Sequence, residues 1–273
     1  MALLMKEILS RRSLIRELVL KDLKIRYSRP ILGFFWSFLS PLLVVAIFYI
    51  VFSLILKVKT EEAPFILYLM TAVFTWRFFQ DSLFSSTTSL VDNKNLVKEA
   101  SFPHYLIPIS IVLANLLNFM PSLVIIIAIA AFILKGLPIF ISFLPIVLFI
   151  HLMLTMGLSI ALSIVYVKWR DIKYILEAAL LLLFYLTPVF YSIYLVKDSF
   201  PNLLFKAYIY NPFVGILNMY RVTLLRGFYK NIQNDIGFFS LTIIPFAFAA
   251  TTLVLGCCLY KKNKNSINDY LSY

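Results

Sequence analysis

Long apolar stretches separated by short polar segments run through most of this chain. A helix rises about 1.5 Å per residue, so roughly 20 residues cross the hydrocarbon core of a bilayer. Five stretches contain no Asp, Glu, Lys or Arg: 31–56, 105–134, 136–167, 178–196 and 236–260. A sixth, 63–84, is long enough but carries Arg77 and Asp81. Because the runs are continuous rather than alternating, the pattern predicts an all-α, polytopic integral membrane protein.

Breaks between the apolar stretches divide the predicted membrane domain, residues 31–260, into six transmembrane helices. Pro30 ends the segment before the first span, since the residue before a proline disfavours helical dihedral angles. Pro138 opens the fourth span. The spans are predicted at residues 31–56, 63–84, 105–134, 138–167, 172–194 and 236–260. Segments 1–30 and 261–273 flank this domain on its cytoplasmic side.

Lys and Arg residues are distributed unevenly between the segments that join the spans. With the N-terminus inside, the inside segments carry 16 of them and the outside segments carry 8. Positive residues accumulate on cytoplasmic loops, and the first segment usually dominates. The chain is therefore predicted to be a multi-pass protein of the cytoplasmic (inner) membrane with both termini in the cytoplasm. The net charge of +12 has the same origin, so we expect membrane lipids and no nucleic acid as partners.

Residues 5–25 have the spacing of an amphipathic helix. One face carries the apolar positions Leu14, Ile15, Leu18, Val19 and Leu23, and charged residues cover the rest. Such a helix lies in the plane of the membrane interface rather than crossing it. Two compatible interpretations stay open: an anchor on the lipid surface and a docking surface for a partner protein.

The interval 195–235 is too apolar for an ordinary loop and too interrupted for a span. Its apolar part is broken at Lys206 and at Asn211-Pro212 into pieces too short to cross a bilayer. The pattern favours two short re-entrant helices that dip in from the outer face and turn at Asn211-Pro212. A single amphipathic loop lying on the outer surface is the alternative.

Several classes of activity need residue patterns that this sequence lacks. None of its seven glycines begins a phosphate-binding loop, and no Gly-Lys-Ser or Gly-Lys-Thr occurs. His104 and His151 are far apart, and no metal-ligand spacing is present. Cys257 and Cys258 are adjacent near the end of the last span and suggest packing rather than a disulfide framework. We expect no catalytic residues, no metal and no cofactor bound by this chain.

Ionisable residues inside a membrane are candidates for function by default. Arg77 and Asp81 share a face of span two and can form an ion pair, because they lie four residues apart. The pair is interpreted either as a self-neutralised structural pair or as part of the entrance to a transport pathway. His151, in the middle of span four, is interpreted as a hydrogen-bonding partner between helices rather than a proton relay.

Aromatic residues concentrate on spans one and five. Many fit the interfacial belt of a membrane protein. Aromatic faces also suit sugars, since C–H groups lie flat on a ring and the polar tips of Tyr and Trp can bond hydroxyl groups. Packing alone is the alternative for any single ring. The candidates for lining a glycan pathway are Phe34, Trp36, Tyr49, Trp76, Phe184, Tyr185 and Tyr191.

Five motifs occur in the order typical of one family of membrane proteins. They are Lys21–Pro41 (KDLKIRYSRPILGFFWSFLSP), Leu96–Pro103 (LVKEASFP), Tyr166–Lys173 (YVKWRDIK), Tyr185–Tyr191 (YLTPVFY) and Tyr210–Phe213 (YNPF). With them the chain resembles the membrane (permease) subunit of ABC exporters of lipid-linked polysaccharides. That family includes O-antigen permeases of the Wzm type and teichoic-acid permeases of the TagG type. It often has Arg after Phe102-Pro103, where this chain has His104.

The resemblance implies a homodimer that is not itself an enzyme and that exports a lipid-linked glycan through a channel at the dimer interface. Two copies of a separate ABC ATPase would bind ATP and Mg²⁺. They would contact the N-terminal helix and the coupling loop 92–103, where the candidates are Lys94, Leu96, Lys98, Phe102 and Pro103. Outer gate helices within 200–226 would turn at Tyr210, Asn211, Pro212 and Phe213. For the pyrophosphate of the lipid carrier the candidates are Arg16, Arg26 and Arg77, because guanidinium groups match phosphate oxygens.

Two other functions stay open. An ABC permease for a small amphipathic drug or another lipid would share the same architecture, and the density of aromatic residues argues for the glycan. An intramembrane enzyme would need a set of polar catalytic groups within the spans, and candidates for such a set are scarce.

Overall fold

The computed structural model describes residues 10–27, 32–57, 64–98, 102–229, 237–264 and 267–270. Side chains are not described at positions 27, 32–38, 238–239 and 268–269. The first residues of the predicted N-terminal helix, 5–9, lie outside this part, as do residues 99–101 of the predicted coupling loop. Every regular element in the described ranges is helical, which confirms the all-α prediction.

The helices are numbered here in chain order. Those in the first half are α1 (Arg12–Tyr27), α2 (Leu32–Phe48), a π-helical turn (Tyr49–Ile55), α3 (Phe65–Asp92), α4 (Lys94–Val97) and α5 (Leu106–Ile133). A 3₁₀ turn (Ile139–Phe143) leads into α6 (Leu144–Lys168) and α7 (Ile172–Tyr185). The remaining helices are α8 (Ile193–Ser199), α9 (Asn202–Ile209), α10 (Pro212–Leu224), α11 (Phe238–Asn263) and α12 (Ile267–Tyr270).

Three helical stretches of the described chain are long and apolar enough to cross a membrane. They are Leu106–Ile133, Ile139–Lys168 and Ser240–Asn263, in agreement with predicted spans three, four and six. In predicted span one, the apolar helix within the residues whose side chains are described is Leu39–Ile55, and the helical backbone begins at Leu32. Helix α3 covers predicted span two and continues beyond it to Asp92. The chain is therefore a multi-pass helical membrane protein by its composition and helix lengths.

Predicted span five, 172–194, was wrong at its C-terminal end. Helix α7 stops at Tyr185, and residues 186–191 form an irregular turn, named here the 186–191 turn. Its cause lies in Pro188, because a proline disfavours helical dihedral angles at the residue before it and cannot donate a backbone hydrogen bond. The Val189 N–H instead donates to the Thr187 carbonyl at 2.7 Å.

Helix α3 lies at the centre of the bundle and packs against α2, α5, α6, α7 and α10. Most of its side chains are buried by protein, including the small polar residues Thr71, Ser82 and Ser86. The Thr71 hydroxyl donates to the Leu67 carbonyl of its own helix at 2.8 Å. Because protein rather than lipid covers this helix, it accommodates more polar residues than its neighbours.

Helix α11 crosses α6 and α10 at points where only glycine fits. A Cβ atom built on Gly157 would lie 2.5 Å from the Leu253 backbone nitrogen, and one on Gly256 would lie 2.5 Å from the Gly157 carbonyl oxygen. A Cβ on Gly215 of α10 would collide with the Pro245 ring. Membrane helices gain stability from such close backbone approach, since lipid provides no hydrophobic force between them.

Candidate functional site

The chain turns at Asn211-Pro212, where the sequence predicted a break between two short helices. Helix α9 ends at Ile209 and α10 begins at Pro212. The Asn211 side chain accepts a hydrogen bond from the Phe213 N–H at 3.0 Å, as an N-cap does. Pro212 occupies the first turn, where a missing N–H has no cost. These two residues therefore have a structural reason independent of any gating role.

Helix α10 is buried from its second residue to its end. Every residue from Phe213 to Leu225 is buried within the fold, so this segment is not a loop lying on the outer surface. The four predicted gate residues separate at its start: Tyr210 is 61% exposed, whereas Phe213 is 3% exposed. The ring centroid of Phe213 lies 4.9 Å from that of Trp76 and 4.3 Å from that of Phe79.

Arg221 on α10 is a residue whose importance the sequence interpretation missed. Its positive charge was counted with the outer loop, yet its side chain is completely buried. The Arg221 Nη2 donates to the carbonyl oxygens of Pro188 and Val189 at 2.5 and 3.1 Å. Its guanidinium lies 3.3 Å from the centroid of the Tyr68 ring. The available signal was a cation within an apolar run, which in a membrane protein indicates a specific partner.

The aromatic residues of predicted spans one and five form one cluster. Phe190 of the 186–191 turn lies 5.5 Å from Phe48, 4.9 Å from Phe52 and 5.8 Å from Tyr185, measured between ring centroids. Phe184 joins α7 to α3 through a 5.6 Å contact with Trp76. The structure therefore brings aromatic residues of these two spans into one cluster within the chain, and Phe48, Phe52 and Phe190 belong to it although they were not among the lining candidates.

The individual lining candidates differ in exposure. Tyr185 is exposed, Tyr49, Phe184 and Tyr191 are half-buried, and Trp76 is buried inside the fold. The Trp76 ring packs against Phe184 and Phe213, and it also lines a cavity between α2, α3 and α7. The side chains of Phe34 and Trp36 lie outside the described part of the chain.

Arg26 and Arg77 line one cavity of about 280 Å³. Its other polar lining residues are Asp81, Asn115, Asn118 and Ser122. Arg77 Nε donates to Asp81 Oδ2 at 2.9 Å, and both side chains remain partly exposed. The predicted ion pair is confirmed. Because it also lines a cavity, the two interpretations of the pair are compatible.

Arg16, the third candidate for phosphate binding, lies apart from this cavity. It is exposed on α1 and is not one of the cavity's lining residues. The structure therefore brings together two of the three predicted basic residues. Among the described residues, no group of three or more His, Cys, Asp or Glu side chains is placed to hold a metal ion.

His151 takes the role that the sequence predicted for it. Its ring is completely buried, and its Nδ1 lies 3.3 Å from the Tyr220 hydroxyl of α10. The ring also meets the edge of Phe213, with centroids 5.5 Å apart. His151 is thus a hydrogen-bonding partner between α6 and α10.

Helix α1 packs on protein through the face that the sequence predicted to be apolar. Ile15, Leu18 and Val19 are buried in a second hydrophobic cluster, mainly against α5. Lys21 Nζ donates to Asn93 Oδ1 at 2.7 Å and so joins α1 to the start of α4. The anchoring interpretation of this face is therefore replaced by packing within the chain, and the opposite, charged face stays exposed.

The coupling-loop candidates lie around the same cluster. Lys94 and Lys98 are exposed, Leu96 and Phe102 are half-buried, and Pro103 is buried. Leu96 and Phe102 pack against the cluster that holds α1 in place. Helix α1 and the segment 94–103, in its described part, thus form one unit with basic side chains on its surface.

His104 joins this unit to the start of α5. Its Nε2 lies 3.0 Å from the Val97 carbonyl oxygen, an arrangement in which the ring donates the proton. Burial lowers the pKa of His104 below its ordinary value of about 6.5, Lys264 lowers it further, and the bond to Val97 opposes both effects. The neutral ring is therefore the form that the fold favours.

Acidification is expected to loosen this unit. Because the pKa of His104 is lower in the folded protein than in the unfolded chain, its contribution to stability is complete above pH 6.5 and is lost as the pH falls below it. Thermal unfolding of the purified protein at several pH values checks this expectation. His104→Gln, which keeps a donor for Val97 but does not titrate, should show a smaller loss between pH 6.5 and 5. Equal losses in both proteins would exclude His104 as the cause.

The comparisons with known proteins cover most of the chain. Residues 13–225 match the family described as "ABC-2 type transporter". An "O-antigen export system permease protein RfbA" from Klebsiella pneumoniae is 30% identical over 234 residues, which are 83% of this chain and 87% of that protein. A protein of the same name from Myxococcus xanthus is 28% identical over 218 residues, or 80% of this chain and 82% of that protein.

Proposed function

This chain belongs to the ABC-2 type transporter family, and from this premise we propose that it is the membrane subunit of an ATP-driven exporter of a lipid-linked polysaccharide. The observation that carries the proposal is the similarity to O-antigen export permeases over more than three quarters of the chain. Family membership makes the protein a transport permease rather than an enzyme. ATP and Mg²⁺ are then bound by a separate ATPase subunit.

The aromatic cluster supports a glycan as the substrate. The rings of Phe184, Tyr185, Phe190 and Tyr191 form a chain of contacts at the exposed edge of α7 and the 186–191 turn. Such a surface holds the apolar faces of sugars through many shallow contacts, so a polymer can slide along it. In the proposed homodimer this edge faces the second copy and forms the channel, with six spans in each copy and both termini in the cytoplasm.

The unit formed by α1 and the segment 94–103 is proposed as the docking surface for the ATPase. Two features support this role: its exposed basic side chains, Lys94 and Lys98 among them, and its packing onto the start of α5. Movement of the ATPase pair would push this unit as a rigid body. Helix α5 would carry the displacement into the membrane domain, where α9 and α10 act as the outer gate.

The cavity between Arg26 and Arg77 is proposed to receive the phosphate groups of the lipid carrier. Two guanidinium groups on one cavity offer charge-assisted hydrogen bonds to phosphate oxygens. Asp81 holds the Arg77 side chain in place through its 2.9 Å bond. Arg16 is exposed elsewhere on α1 and is not part of this proposed site.

The proposal is tested with the chain co-purified with the ATPase encoded beside it. We expect a stable complex whose ATP hydrolysis responds to a lipid-linked oligosaccharide. A complex that ignores the oligosaccharide but responds to amphipathic drugs or simple lipids would favour the alternative substrate class. Failure to form any complex would contradict the ABC exporter itself.

Two charge reversals make the docking surface part of the same test. Lys98→Glu alters the exposed basic face of the proposed docking unit, and Lys206→Glu alters an equally exposed lysine on α9. We expect only Lys98→Glu to reduce the amount of ATPase that co-purifies. Equal recovery of the ATPase with both variants would exclude the segment around Lys98 as its docking surface.

A further inference from the structure

The 186–191 turn is held by two side chains that come from different helices. From α10, Arg221 donates to the carbonyl oxygens of Pro188 and Val189. From α3, the Tyr68 hydroxyl donates to the Tyr191 carbonyl oxygen at 2.7 Å. The two side chains also contact one another, because the guanidinium stacks on the Tyr68 ring. Three of the turn's carbonyl groups are thereby satisfied by this pair.

Burying a guanidinium inside a membrane protein requires a large desolvation free energy, which an apolar side chain at the same position would avoid. A structural hydrogen bond to a backbone carbonyl can also come from a neutral Gln or Asn. Arg221 instead combines several donors in a planar fork with a flat face for an aromatic ring. This combination lets a single side chain fix both the position of the turn and its orientation against α3.

The turn carries two rings of the aromatic cluster. Phe190 contacts Phe48 and Phe52, and Tyr191 lies 5.2 Å from Phe190. The Tyr191 hydroxyl in turn donates to the Tyr185 carbonyl oxygen at 3.0 Å and accepts from the Tyr208 hydroxyl of α9 at 3.3 Å. A displacement of α9 and α10 would therefore move these rings, since both helices bind the turn that bears them.

We propose that Arg221 is a positioning residue for transport, which holds the 186–191 turn and so sets the aromatic surface along which the substrate passes. The transport part of this inference rests on the proposed function. Arg221 does not contact the substrate itself, because it is completely buried behind the turn. It makes the aromatic surface follow α10, so the gate helices and the pathway lining change position together.

The first measurement follows how often the 186–191 turn opens, and it needs no substrate. Val189 is completely buried in the turn, and Val189→Cys in a chain with Cys257→Ser and Cys258→Ser provides one thiol there. Replacing Arg221 removes charge-assisted hydrogen bonds that stabilise the closed turn. The loss is large enough to raise the population of the open turn, in which the thiol is exposed, about tenfold. We expect the rate of maleimide labelling to rise by about this factor in Arg221→Gln and less in Arg221→Lys.

Arg226→Gln is the matched control. Arg226 lies five positions further on, is exposed, and donates to the Lys135 carbonyl at 3.2 Å rather than to the turn. Its replacement should leave the labelling rate at its starting value. Equal labelling in the Gln variants of Arg221 and Arg226 would overturn the proposal.

The second measurement is export of glycan to the cell surface, compared with basal ATP hydrolysis of the purified complex. A merely structural Arg221 would lower both in proportion to the amount of folded complex. A positioning Arg221 should lower export per complex about tenfold while basal hydrolysis changes less than twofold, with partial rescue by Lys. Faster labelling with unchanged export would overturn the transport role.

Tyr68→Phe keeps the test decisive if Arg221→Gln does not assemble. This change removes one hydroxyl, which donates to Tyr191, and leaves the ring and its stacking in place. It should raise labelling at position 189 and reduce export, and wild-type values for both would contradict the proposal. If the wild-type complex exports no glycan, the proposed function fails, whereas the labelling still measures the hold of Arg221 on the turn.

Discussion

Adding a side chain at Gly157 is expected to prevent α6 and α11 from packing. The atoms that a Cβ would meet, the Leu253 nitrogen and the Thr252 carbonyl carbon, belong to the backbone and cannot rotate away. Overpacking in rigid surroundings costs about 1–3 kcal/mol and more where backbone must shift. We expect Gly157→Ala to lower the unfolding temperature clearly and Gly157→Val to abolish recovery of folded protein.

The control adds two carbon atoms, one more than Gly157→Ala, at an exposed position of the same helix pair. Ala247 is exposed on α11, and Ala247→Val should leave the unfolding temperature and the yield close to their wild-type values. Unfolding of the detergent-solubilised proteins, followed by fluorescence, provides the comparison. A Gly157→Ala protein as stable as Ala247→Val would mean that the two helices can separate without cost.

Truncating Phe213 is expected to have the second-largest effect. Its ring packs against Trp76, Phe79 and His151, and it links the start of α10 to α3 and α6. Phe→Ala changes in protein cores cost about 3–5 kcal/mol because the cavity left behind is only partly filled. Phe213→Ala should therefore lower stability strongly and abolish export through loss of folded protein.

Tyr210→Ala separates gating from packing. Tyr210 belongs to the same predicted gate set but is exposed, so its loss should change stability by less than about 0.5 kcal/mol. A change of export in Tyr210→Ala at normal yield would assign it to the gate. Export and stability that fall together only in Phe213→Ala would identify Phe213 as a core residue. Normal stability of Phe213→Ala would contradict the packing described for α10.

The membrane helices with the clearest patterns were predictable, and those with mixed patterns were not. Spans three, four and six are long runs without charge, so length and composition alone locate them. The C-terminal end of helix α7 was not predictable in this way, because the apolar run continues to Val196 although the helix ends at Tyr185. Hydropathy alone does not show that an apolar segment forms a turn when a proline ends the helix and a buried cation binds the free carbonyl groups.

In the candidate site, too, some features were predictable from the sequence and others were not. Aromatic composition pointed to spans one and five, and their rings do meet. Burial within the fold, however, differs between these rings, since Trp76 is 3% exposed and Tyr185 is 55% exposed. Burial depends on contacts between residues far apart in the chain, which no local pattern contains.

The sequence by itself determined that this is a multi-pass helical membrane protein of a transporter family, since apolar periodicity and motif order are local properties. It also determined the Asn211-Pro212 break and the apolar face of α1, because capping and amphipathicity act within a few residues. Only the tertiary structure decided that this face packs on α5 and that Arg26 and Arg77 share a cavity. It alone placed the charge of Arg221 inside the fold, where backbone carbonyls and the Tyr68 ring stabilise a cation that the sequence had assigned to a loop.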